Sequence, residues 1–270
     1  MSMNAHGHPG RPAVHGRPPV ALSIAGSDPS GGAGVQADLK AFLDGGAYGA
    51  AVITALTVQS TRGVASWMPV PAPFIVEQIR HLLADISPDC VKIGMIGTAE
   101  IAAAVAQGLE GYDGPVILDP VMVATSGDVL LQPDAEAALR ERLFPRATLI
   151  TPNLPEARRL WGDTPAAEAA KALGVAVLLK DGHNTLPVVE DALYLPDGHA
   201  RTWAHPRVNT RNTHGTGCTL SSAIAARVAR GEPLEEAVGG ALDYVARLIA
   251  YSAHHDVGGG CGPLLHGFVG

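Results

Sequence analysis

The alternation of apolar strands and amphipathic helices along this sequence predicts an α/β fold with a mostly parallel, doubly wound sheet. From Val20 onward, short apolar runs alternate with segments of helical periodicity. Several runs, such as 21–25, are almost continuously hydrophobic, which is typical of strands covered by helices on both faces. The alternation breaks at 187–205, where two extended runs flank a Pro-Asp-Gly turn at 196–198 and predict a hairpin.

The individual elements follow from the same periodicities. Strands are predicted at 21–25, 51–56, 64–70, 90–93, 116–118, 148–150 and 175–179. Helices are predicted at 33–45, 72–86, 98–109, 134–143, 155–161, 165–173, 217–230 and 233–252. The last helix has Pro233 near its start and Glu235 in its first turn, and both placements favour helix initiation. Because no repeat or linker interrupts the series, we expect residues 20–270 to form one domain.

Composition restricts the class of protein. The chain has 270 residues, of which 47% are apolar and 17% charged, as in an enzyme-like globule. Its net charge of −7 argues against general nucleic-acid binding, which needs a basic surface. The three cysteines are widely spaced and odd in number, so they indicate neither a disulfide framework nor a zinc knuckle. No apolar run approaches the length of a membrane span, so we expect no membrane partner.

Residues 1–19 differ in composition from the rest of the chain. They hold arginines and histidines among glycines and prolines, with no acidic residue and no apolar stretch. A secretory signal requires an apolar centre, which this segment lacks. We therefore expect a disordered tail before an enzyme of the cytoplasm.

The segment 214–218, His-Gly-Thr-Gly-Cys, predicts an anion site. Two glycines bracket Thr216, so the backbone can turn tightly and direct its N–H groups toward one point. The next residues have the apolar spacing of a helix, and the N-terminus of a helix favours negative charge. Cys218 falls in the first turn, where a thiol is expected to be acidified and to act as a proton acceptor. The alternative is a glycine-rich cap with a small buried cysteine.

A second glycine-rich segment, residues 26–34, follows the first predicted strand. Its spacing partly matches a dinucleotide-binding fingerprint, but no acidic residue occurs between 45 and 76 to bind a ribose. We interpret it as a close backbone approach to a small ligand with Asp38 as a buried polar contact, the alternative being a solvated Asp38. Gln59 follows strand 51–56 and carries an amide suited to the edge of a heterocycle, unless it lies in an ordinary surface turn.

Further polar residues follow later strands, at the sheet edge where such folds bind ligands. Asp119 comes directly after strand 116–118, where a carboxylate can hold Mg²⁺ or orient phosphates. Asn153 and Glu156 fit a capping box, and Glu156 could also serve as a second carboxylate for a metal. Lys180 follows strand 175–179, where its ammonium could meet a phosphate. No Walker P-loop occurs in the sequence.

Together these segments resemble the ribokinase-type fold and, within it, the hydroxymethylpyrimidine/phosphomethylpyrimidine kinases of thiamine biosynthesis. The resemblance covers roughly residues 20–267 and rests on six ordered motifs. These motifs are AGSDPSGGAGVQAD at 25–38, TALTVQSTRGV at 54–64, KIGM at 92–95, DPVM at 119–122, TPNLPE at 151–156 and HGTGC at 214–218.

The resemblance implies a three-layer α/β/α sandwich that uses ATP and Mg²⁺. The implied reaction is phosphorylation of 4-amino-5-hydroxymethyl-2-methylpyrimidine and then of its monophosphate, and we expect a homodimer. By resemblance, the pyrimidine pocket is lined by Gly26, Asp38, Gln59, Met95 and Val121. The magnesium and nucleotide side is formed by Asp119, Glu156, Lys180 and Asn153. The anion hole consists of Gly215, Thr216 and Gly217, and Cys218 takes the place of the aspartate base of related sugar kinases.

Two positions depart from the pattern of this family. Thr125 stands where many relatives carry lysine, and Asp181 follows Lys180 where glycine is usual. The nearest alternative function is a pyridoxal or pyridoxine kinase, since that substrate is also a ring with hydroxymethyl groups. A non-catalytic pyrimidine-binding protein would not need Asp119, Glu156, Lys180 or an anion hole, and a nicotinamide oxidoreductase lacks its ribose carboxylate.

Overall fold

A sheet of eight strands forms the centre of the molecule, in the order β10-β9-β8-β7-β6-β5-β1-β2. The computed structural model describes residues 16–182 and 186–268. In this sheet β2, β1, β5, β6, β7 and β8 pair in parallel with their neighbours, whereas β9 and β10 add antiparallel strands at one edge. The strands are β1 (Val20–Ala25), β2 (Tyr48–Ile53), β3 (Ala55–Ser60), β4 (Gly63–Pro69), β5 (Cys90–Ile93), β6 (Val116–Leu118), β7 (Leu149–Ile150), β8 (Ala176–Leu179), β9 (Val188–Tyr194) and β10 (Ala200–Pro206).

Helices cover both faces of the sheet, which confirms the three-layer arrangement. They are α1 (Gly34–Asp44), α2 (Ala72–Asp85), α3 (Ala99–Gly108), α4 (Ala135–Ala138), α5 (Leu154–Trp161), α6 (Ala166–Leu173), α7 (Thr216–Ala229) and α8 (Leu234–Ser252). Apolar residues of α2, α3 and α4 form one core with the sheet, and those of α1, α7 and α8 form another on the opposite face. Helices on both faces explain why β1 is buried along its whole length.

The second predicted strand, 51–56, is split in the structure, so that prediction was wrong. β2 ends at Ile53, and β3 then leaves the main sheet to pair with β4 in a separate antiparallel hairpin. Thr54 marks the break: its N–H donates to Ala25 at the end of β1, and its hydroxyl donates to the carbonyl of Met95. Thr54 is therefore hydrogen-bonded to the end of the parallel sheet, and the chain after Thr54 leaves that sheet.

The predicted helix 134–143 is also interrupted. Only Ala135–Ala138 is α-helical, followed by a π-helical turn at Leu139–Leu143 and a 3-10 turn at Phe144–Arg146. Pro145 offers no backbone N–H, so a regular helical hydrogen-bond pattern cannot continue through it. The predicted hairpin at 187–205 is confirmed as β9 and β10.

The predicted tail 1–19 lies largely outside the described residues, but its last four residues, 16–19, are described. Arg17 pairs with Asp89 at 2.7 Å, and Pro19 accepts a hydrogen bond from the N–H of Tyr48. Residues 16–19 therefore include two contacts with the rest of the domain. Within the described residues, no helix combines the length and the hydrophobicity needed to cross a membrane.

Candidate active site

The glycine-rich segment 214–217 lies against the first glycine-rich segment, 26–34. Gly215 precedes α7 with a φ of 76°, and a Cβ at this position would collide with the carbonyl oxygen of Gly32. Gly34, at the start of α1, has a φ of 56°, and a Cβ there would collide with the carbonyl of Gly26. These glycines are required because two backbones approach each other without room for side chains.

Gly217 brings the N-terminal turn of α7 against two charged groups. A Cβ at Gly217 would lie 3.4 Å from Lys180 Nζ and 3.5 Å from Asp119 Oδ2. Lys180 Nζ donates to Asp119 Oδ1 at 2.9 Å, and Thr151 donates to the same oxygen at 3.1 Å. Asp119, Thr151 and Lys180 follow β6, β7 and β8, so the carboxyl ends of three parallel strands meet the N-terminus of α7. The structure thus joins residues that the sequence predicted separately.

Asn153 and Glu156 form the predicted capping box at the start of α5. Each side chain accepts from the other residue's backbone N–H at 2.9 Å. Glu156 is buried, and burial raises the pKa of its carboxyl to about 7, with Asp119 adding to the increase and Lys180 opposing it. A second carboxylate therefore lies close enough to interact with Asp119. The role predicted for Asn153 in nucleotide binding stays a prediction, since its side chain caps α5.

Cys218 lies in the first turn of α7 as expected, but its thiol is not acidified. Burial raises the pKa of Cys218 to about 11, although Lys92 and the N–H of Gly34 act in the opposite direction. The expectation of a lowered pKa was wrong because loss of solvent around the sulfur outweighs these contributions. The resting side chain is a neutral thiol.

Asp38 does not face an open pocket, so its predicted direct contact with the pyrimidine is corrected. Its side chain is fully buried, and Lys92 Nζ lies 2.8 Å from both carboxylate oxygens. Ser23 and Ser222 each donate a further hydrogen bond to this carboxylate. With these partners, the carboxylate has little capacity left for a substrate.

The other residues predicted for the pyrimidine pocket lie together. A Cβ at Gly26 would come 2.9 Å from Met95 Sδ, and Val121 packs against the small apolar cluster that contains Met95. Gln59 lies within β3 rather than in a turn after a strand, with its amide nitrogen 3.4 Å from His214 Nε2. Apart from Asp38, the predicted set thus borders one region between the hairpin and the sheet.

A buried pair between Asp28 and His214 was not predicted. His214 Nε2 lies 2.8 Å from Asp28, although 186 positions separate the two residues. Burial raises the pKa of the Asp28 carboxyl, but hydrogen bonds from His214 and Ser30 outweigh it and bring that pKa to about 2. Asp28 also accepts from the N–H groups of Gly32 and Ala33 and so holds the first glycine-rich segment in its turn. The only signal in the sequence was that Asp28 and His214 each lie in a glycine-rich segment, and spacing alone does not reveal that the two segments meet.

The two departures from the family pattern lie in the segments that follow β6 and β8. Thr125 falls in the turn between Val123 and Val129, which form an antiparallel bridge. The N–H of Asp181 donates to Asp191 at 3.0 Å, which anchors the chain just after Lys180.

The arrangement provides N–H donors, an ammonium and two carboxylates around one opening, the combination required for binding and transferring phosphoryl groups. Among residues 16–182 and 186–268, no group of three or more histidine, cysteine or acidic side chains is placed to hold a metal. Asp119 and Glu156 nevertheless fit Mg²⁺, which usually binds one or two protein carboxylates together with water and substrate phosphates. The mutual repulsion of these carboxylates, expressed in the raised pKa of Glu156, is what a divalent cation would relieve.

Relatives of known sequence agree with this chemistry. The chain is 48% identical over 257 residues to a hydroxymethylpyrimidine/phosphomethylpyrimidine kinase of Rhizobium meliloti, covering 92% of this chain and 96% of the relative. It is 46% identical over 258 residues to the Escherichia coli protein of the same name, with coverages of 91% and 96%. It is also 44% identical to the multifunctional protein ThiED of Corynebacterium efficiens but spans only 35% of that protein's length.

Solved structures and a family model complete the comparison. The ADP complex of Bacillus subtilis pyridoxal kinase has a TM-score of 0.81 at 33% identity, covering 93% of this chain and 98% of that chain. The phosphomethylpyrimidine kinase of Clostridium difficile 630 has a TM-score of 0.71 at 38% identity, with coverages of 85% and 99%. The family model described as phosphomethylpyrimidine kinase matches residues 28–265, the span that contains all but the first two residues of the first glycine-rich segment, the whole of the second and the charged groups between them. On these similarities, the chain belongs to the phosphomethylpyrimidine kinase family.

Proposed function

We propose that this chain is a kinase that transfers phosphoryl groups from ATP to 4-amino-5-hydroxymethyl-2-methylpyrimidine and then to its monophosphate. The observation that carries the proposal is the meeting of Gly217 with Lys180 and Asp119 at the N-terminus of α7. Membership of the family and the names of its relatives support the choice of substrate.

The residues at this opening suit the charge that develops during the transfer. A phosphoryl transition state spreads negative charge over its equatorial oxygens, so donors already in position stabilise it most. The N–H groups of Gly215 and Gly217 supply such donors, whereas the N–H of Thr216 donates to the carbonyl of Thr213. Lys180 supplies a positive charge. Burial lowers the pKa of Lys180, but Asp119 and Glu156 raise it above its ordinary value, so the ammonium remains charged.

The proposed reaction uses Mg²⁺, which Asp119 and Glu156 would hold. When bound, the cation would neutralise phosphate charge. The capping role of Glu156 is compatible with this, because a carboxylate has about four acceptor sites, and the backbone N–H groups of Asn153 and Met122 that act on it leave acceptor capacity for a cation.

We assign Cys218 as the acceptor of the hydroxymethyl proton in the first phosphorylation. The monophosphate is already ionised, so the second phosphorylation needs no such acceptor. Because the pKa of Cys218 is about 11, the thiolate fraction increases with pH throughout the neutral and mildly alkaline range. The rate of the first step should therefore rise with pH more steeply than that of the second, and parallel pH profiles would contradict the assignment.

Substitution of the thiol gives a second test of this role. A positioned general base contributes about 10²–10⁴-fold, so Cys218→Ala should slow the first step within that range and the second step less. Cys218→Asp should restore part of the first rate. Cys261→Ser is the matched control, since Cys261 lies in another part of the chain and contacts Thr213 and Arg211. An unchanged ratio of the two rates in Cys218→Ala would exclude the thiol as the base.

The principal alternative is a pyridoxal kinase, because pyridoxal kinases of Bacillus subtilis and Staphylococcus aureus share the fold at TM-scores of 0.81 and 0.82. Products should be identified after incubation with Mg-ATP and either the hydroxymethylpyrimidine or pyridoxal at equal concentrations. We expect the pyrimidine mono- and pyrophosphates to form at the higher kcat/KM. Phosphorylation of pyridoxal alone would replace the proposal with the alternative.

We also infer a homodimer, supported by the exposed apolar face of the β3–β4 hairpin. Leu56, Val58 and Met68 are 46%, 62% and 60% exposed on this hairpin. Such a contiguous apolar face is typical of an interface. Sedimentation velocity should show dissociation for Val58→Asp but not for Leu173→Asp, a control on α6. A wild-type protein that sediments as a monomer would contradict the inference. A cytoplasmic location stays a prediction.

A further inference from the structure

A charged lysine is buried below the anion hole, and the proposed mechanism does not use it. Lys92, on β5, is fully buried, with its ammonium 2.8 Å from both oxygens of Asp38 on α1. Burial alone would lower the pKa of Lys92, but Asp38 raises it above its ordinary value, so the ammonium keeps its proton. A buried ion pair is costly to desolvate, and replacing one by apolar residues is often neutral or stabilising. Stability alone therefore does not account for this pair.

The pair connects four elements of the fold. Ser23 on β1 donates to Asp38 Oδ2 at 2.6 Å, and Ser222 on α7 donates to Asp38 Oδ1 at 2.7 Å. Together with Lys92 on β5, these bonds fix α1 and α7 relative to the sheet. The first turns of these two helices border the site.

Cys218 lies one helical turn above this network. It precedes Ser222 by four positions on α7, and Gly34 precedes Asp38 by four positions on α1. Residues four apart lie on the same face of a helix, separated by about 6 Å along its axis. The N–H of Gly34 is near enough to the sulfur of Cys218 to lower the pKa of its thiol, so the upper turns meet just as Ser222 and Asp38 meet below.

The charges of the pair act on the thiol in opposite directions. After burial, which raises the pKa of Cys218, the largest contribution comes from Lys92, which lowers it. Asp38 and Asp119 raise it by smaller amounts. The ammonium of Lys92 therefore favours the thiolate more than the carboxylate of Asp38 disfavours it.

We propose that Lys92 and Asp38 are a positioning pair for Cys218, which holds the first turns of α1 and α7 together and places a positive charge beneath the sulfur. The proposal rests on the function assigned to Cys218 above. It explains why a lysine is retained in the apolar interior and why Asp38 is closed to the substrate.

The reactivity of the thiol tests the proposal without any substrate. Alkylation of Cys218 by iodoacetamide is followed by mass spectrometry at a fixed alkaline pH, in a Cys261→Ser background that removes the other partly exposed thiol. The wild type is compared with the double variant Asp38→Asn and Lys92→Met, because Asp38→Asn alone would remove the charge that keeps the buried Lys92 protonated. The double variant replaces both buried charges by neutral groups of similar volume, so that it can fold. Ser23→Ala is the matched control, because it removes a hydrogen bond to Asp38 but leaves both charges.

We expect the double variant to be alkylated severalfold more slowly than the wild type, because it has less thiolate at the same pH. Ser23→Ala should react at the wild-type rate. Equal rates in the wild type and the double variant would overturn the proposal, as would a comparable loss in Ser23→Ala, which would show a purely structural effect. If alkylation slows as expected but the ratio of the two phosphorylation rates does not change, the pair acts on the thiol and the proposed base role of Cys218 fails instead.

Discussion

Two lysine–carboxylate pairs in this molecule have nearly the same geometry but different surroundings. The ammonium of Lys92 lies 2.8 Å from Asp38, and that of Lys180 lies 2.9 Å from Asp119. Both side chains of the first pair are 0% exposed, whereas Lys180 is 14% and Asp119 2% exposed. We call them the closed pair and the open pair.

The difference between the pairs is one of hydrogen-bond capacity. Both oxygens of Asp38 accept a hydrogen bond from Lys92, and each also accepts one from a serine hydroxyl at 2.7 Å or less. Among the residues that the structure describes, only the hydroxyl of Ser221 donates to Asp119 Oδ2, at 3.4 Å, and the glycine turn before α7 leaves space beside this oxygen. A carboxylate with spare acceptor capacity at a solvent-accessible edge can bind a ligand, whereas a saturated one cannot. The comparison assigns structure and positioning to the closed pair and ligand binding to the open one.

Breaking the closed pair should have the largest effect. Lys92→Met leaves the carboxylate of Asp38 buried without its counter-charge, which should lower the free energy of unfolding by about 3–5 kcal/mol. Denaturant unfolding followed by circular dichroism measures this loss. A change below about 1 kcal/mol would mean that water or another cation reaches Asp38 and that the pair is not closed.

Breaking the open pair should affect activity rather than folding. Lys180→Met removes the donor that we propose for the nucleotide phosphates, and loss of such a donor typically lowers the rate by about 10²–10³-fold. The measurement is kcat/KM for ATP, with Lys171→Met on the outer part of α6 as the control. Wild-type kcat/KM in Lys180→Met would place the nucleotide phosphates elsewhere.

Glu156, which interacts with both members of the open pair, should make the stability of the protein depend on pH. The pKa of Glu156 is raised to about 7 from an ordinary value near 4.5, so between these values the folded protein binds more protons than the unfolded chain. Stability should therefore fall as pH rises through this range, by about 2–3 kcal/mol in total, and Glu156→Gln should remove most of that fall.

Thermal or denaturant unfolding between pH 5 and pH 8 checks this prediction. Addition of Mg²⁺ should reduce the pH dependence in the wild type, since the cation favours the ionised carboxylate. A wild type and a Glu156→Gln variant with parallel pH profiles would show that Glu156 is ionised throughout.

The smallest effects are expected from substitution of two adjacent serines of α7. Ser222 donates to Asp38 of the closed pair, and Ser221 donates weakly to Asp119 of the open pair. Ser222→Ala should lower the free energy of unfolding by about 1.5 kcal/mol, because it removes a buried hydrogen bond to a charged group. Ser221→Ala should cost less and should instead raise the Mg²⁺ concentration needed for half-maximal activity. Equal destabilisation by both changes would remove the distinction between the pairs.

The sequence predicted the layers of the fold because they depend on local patterns. Apolar runs followed by a polar residue predicted that Asp119 and Lys180 lie at the ends of strands, and two glycines before an apolar helix predicted the turn before α7, as the structure has them. Their roles in ligand binding stay predictions. The boundary at Thr54 was missed because a single threonine in an otherwise apolar run is compatible with one continuous strand and gives no sign that the chain leaves the sheet.

The errors concern properties that depend on distant partners. Asp38 and Lys92 are 54 positions apart, and spacing does not show that one saturates the other. Cys218 has the helix-terminal position that acidifies a thiol, but its pKa is set mainly by burial, which only the packed structure reveals. The contact between Asp28 and His214 was missed for the same reason.

The affinity for Mg-ATP, measured by isothermal titration calorimetry, tests the distinction between the two pairs most directly. The measurement compares Lys180→Met with the double variant Lys92→Met and Asp38→Asn, after each has been shown to be folded. The open pair is predicted to bind the nucleotide phosphates, so Lys180→Met should lose at least tenfold in affinity while the double variant binds Mg-ATP as the wild type does. Wild-type affinity in Lys180→Met, or an equal loss in both proteins, would contradict the assignment.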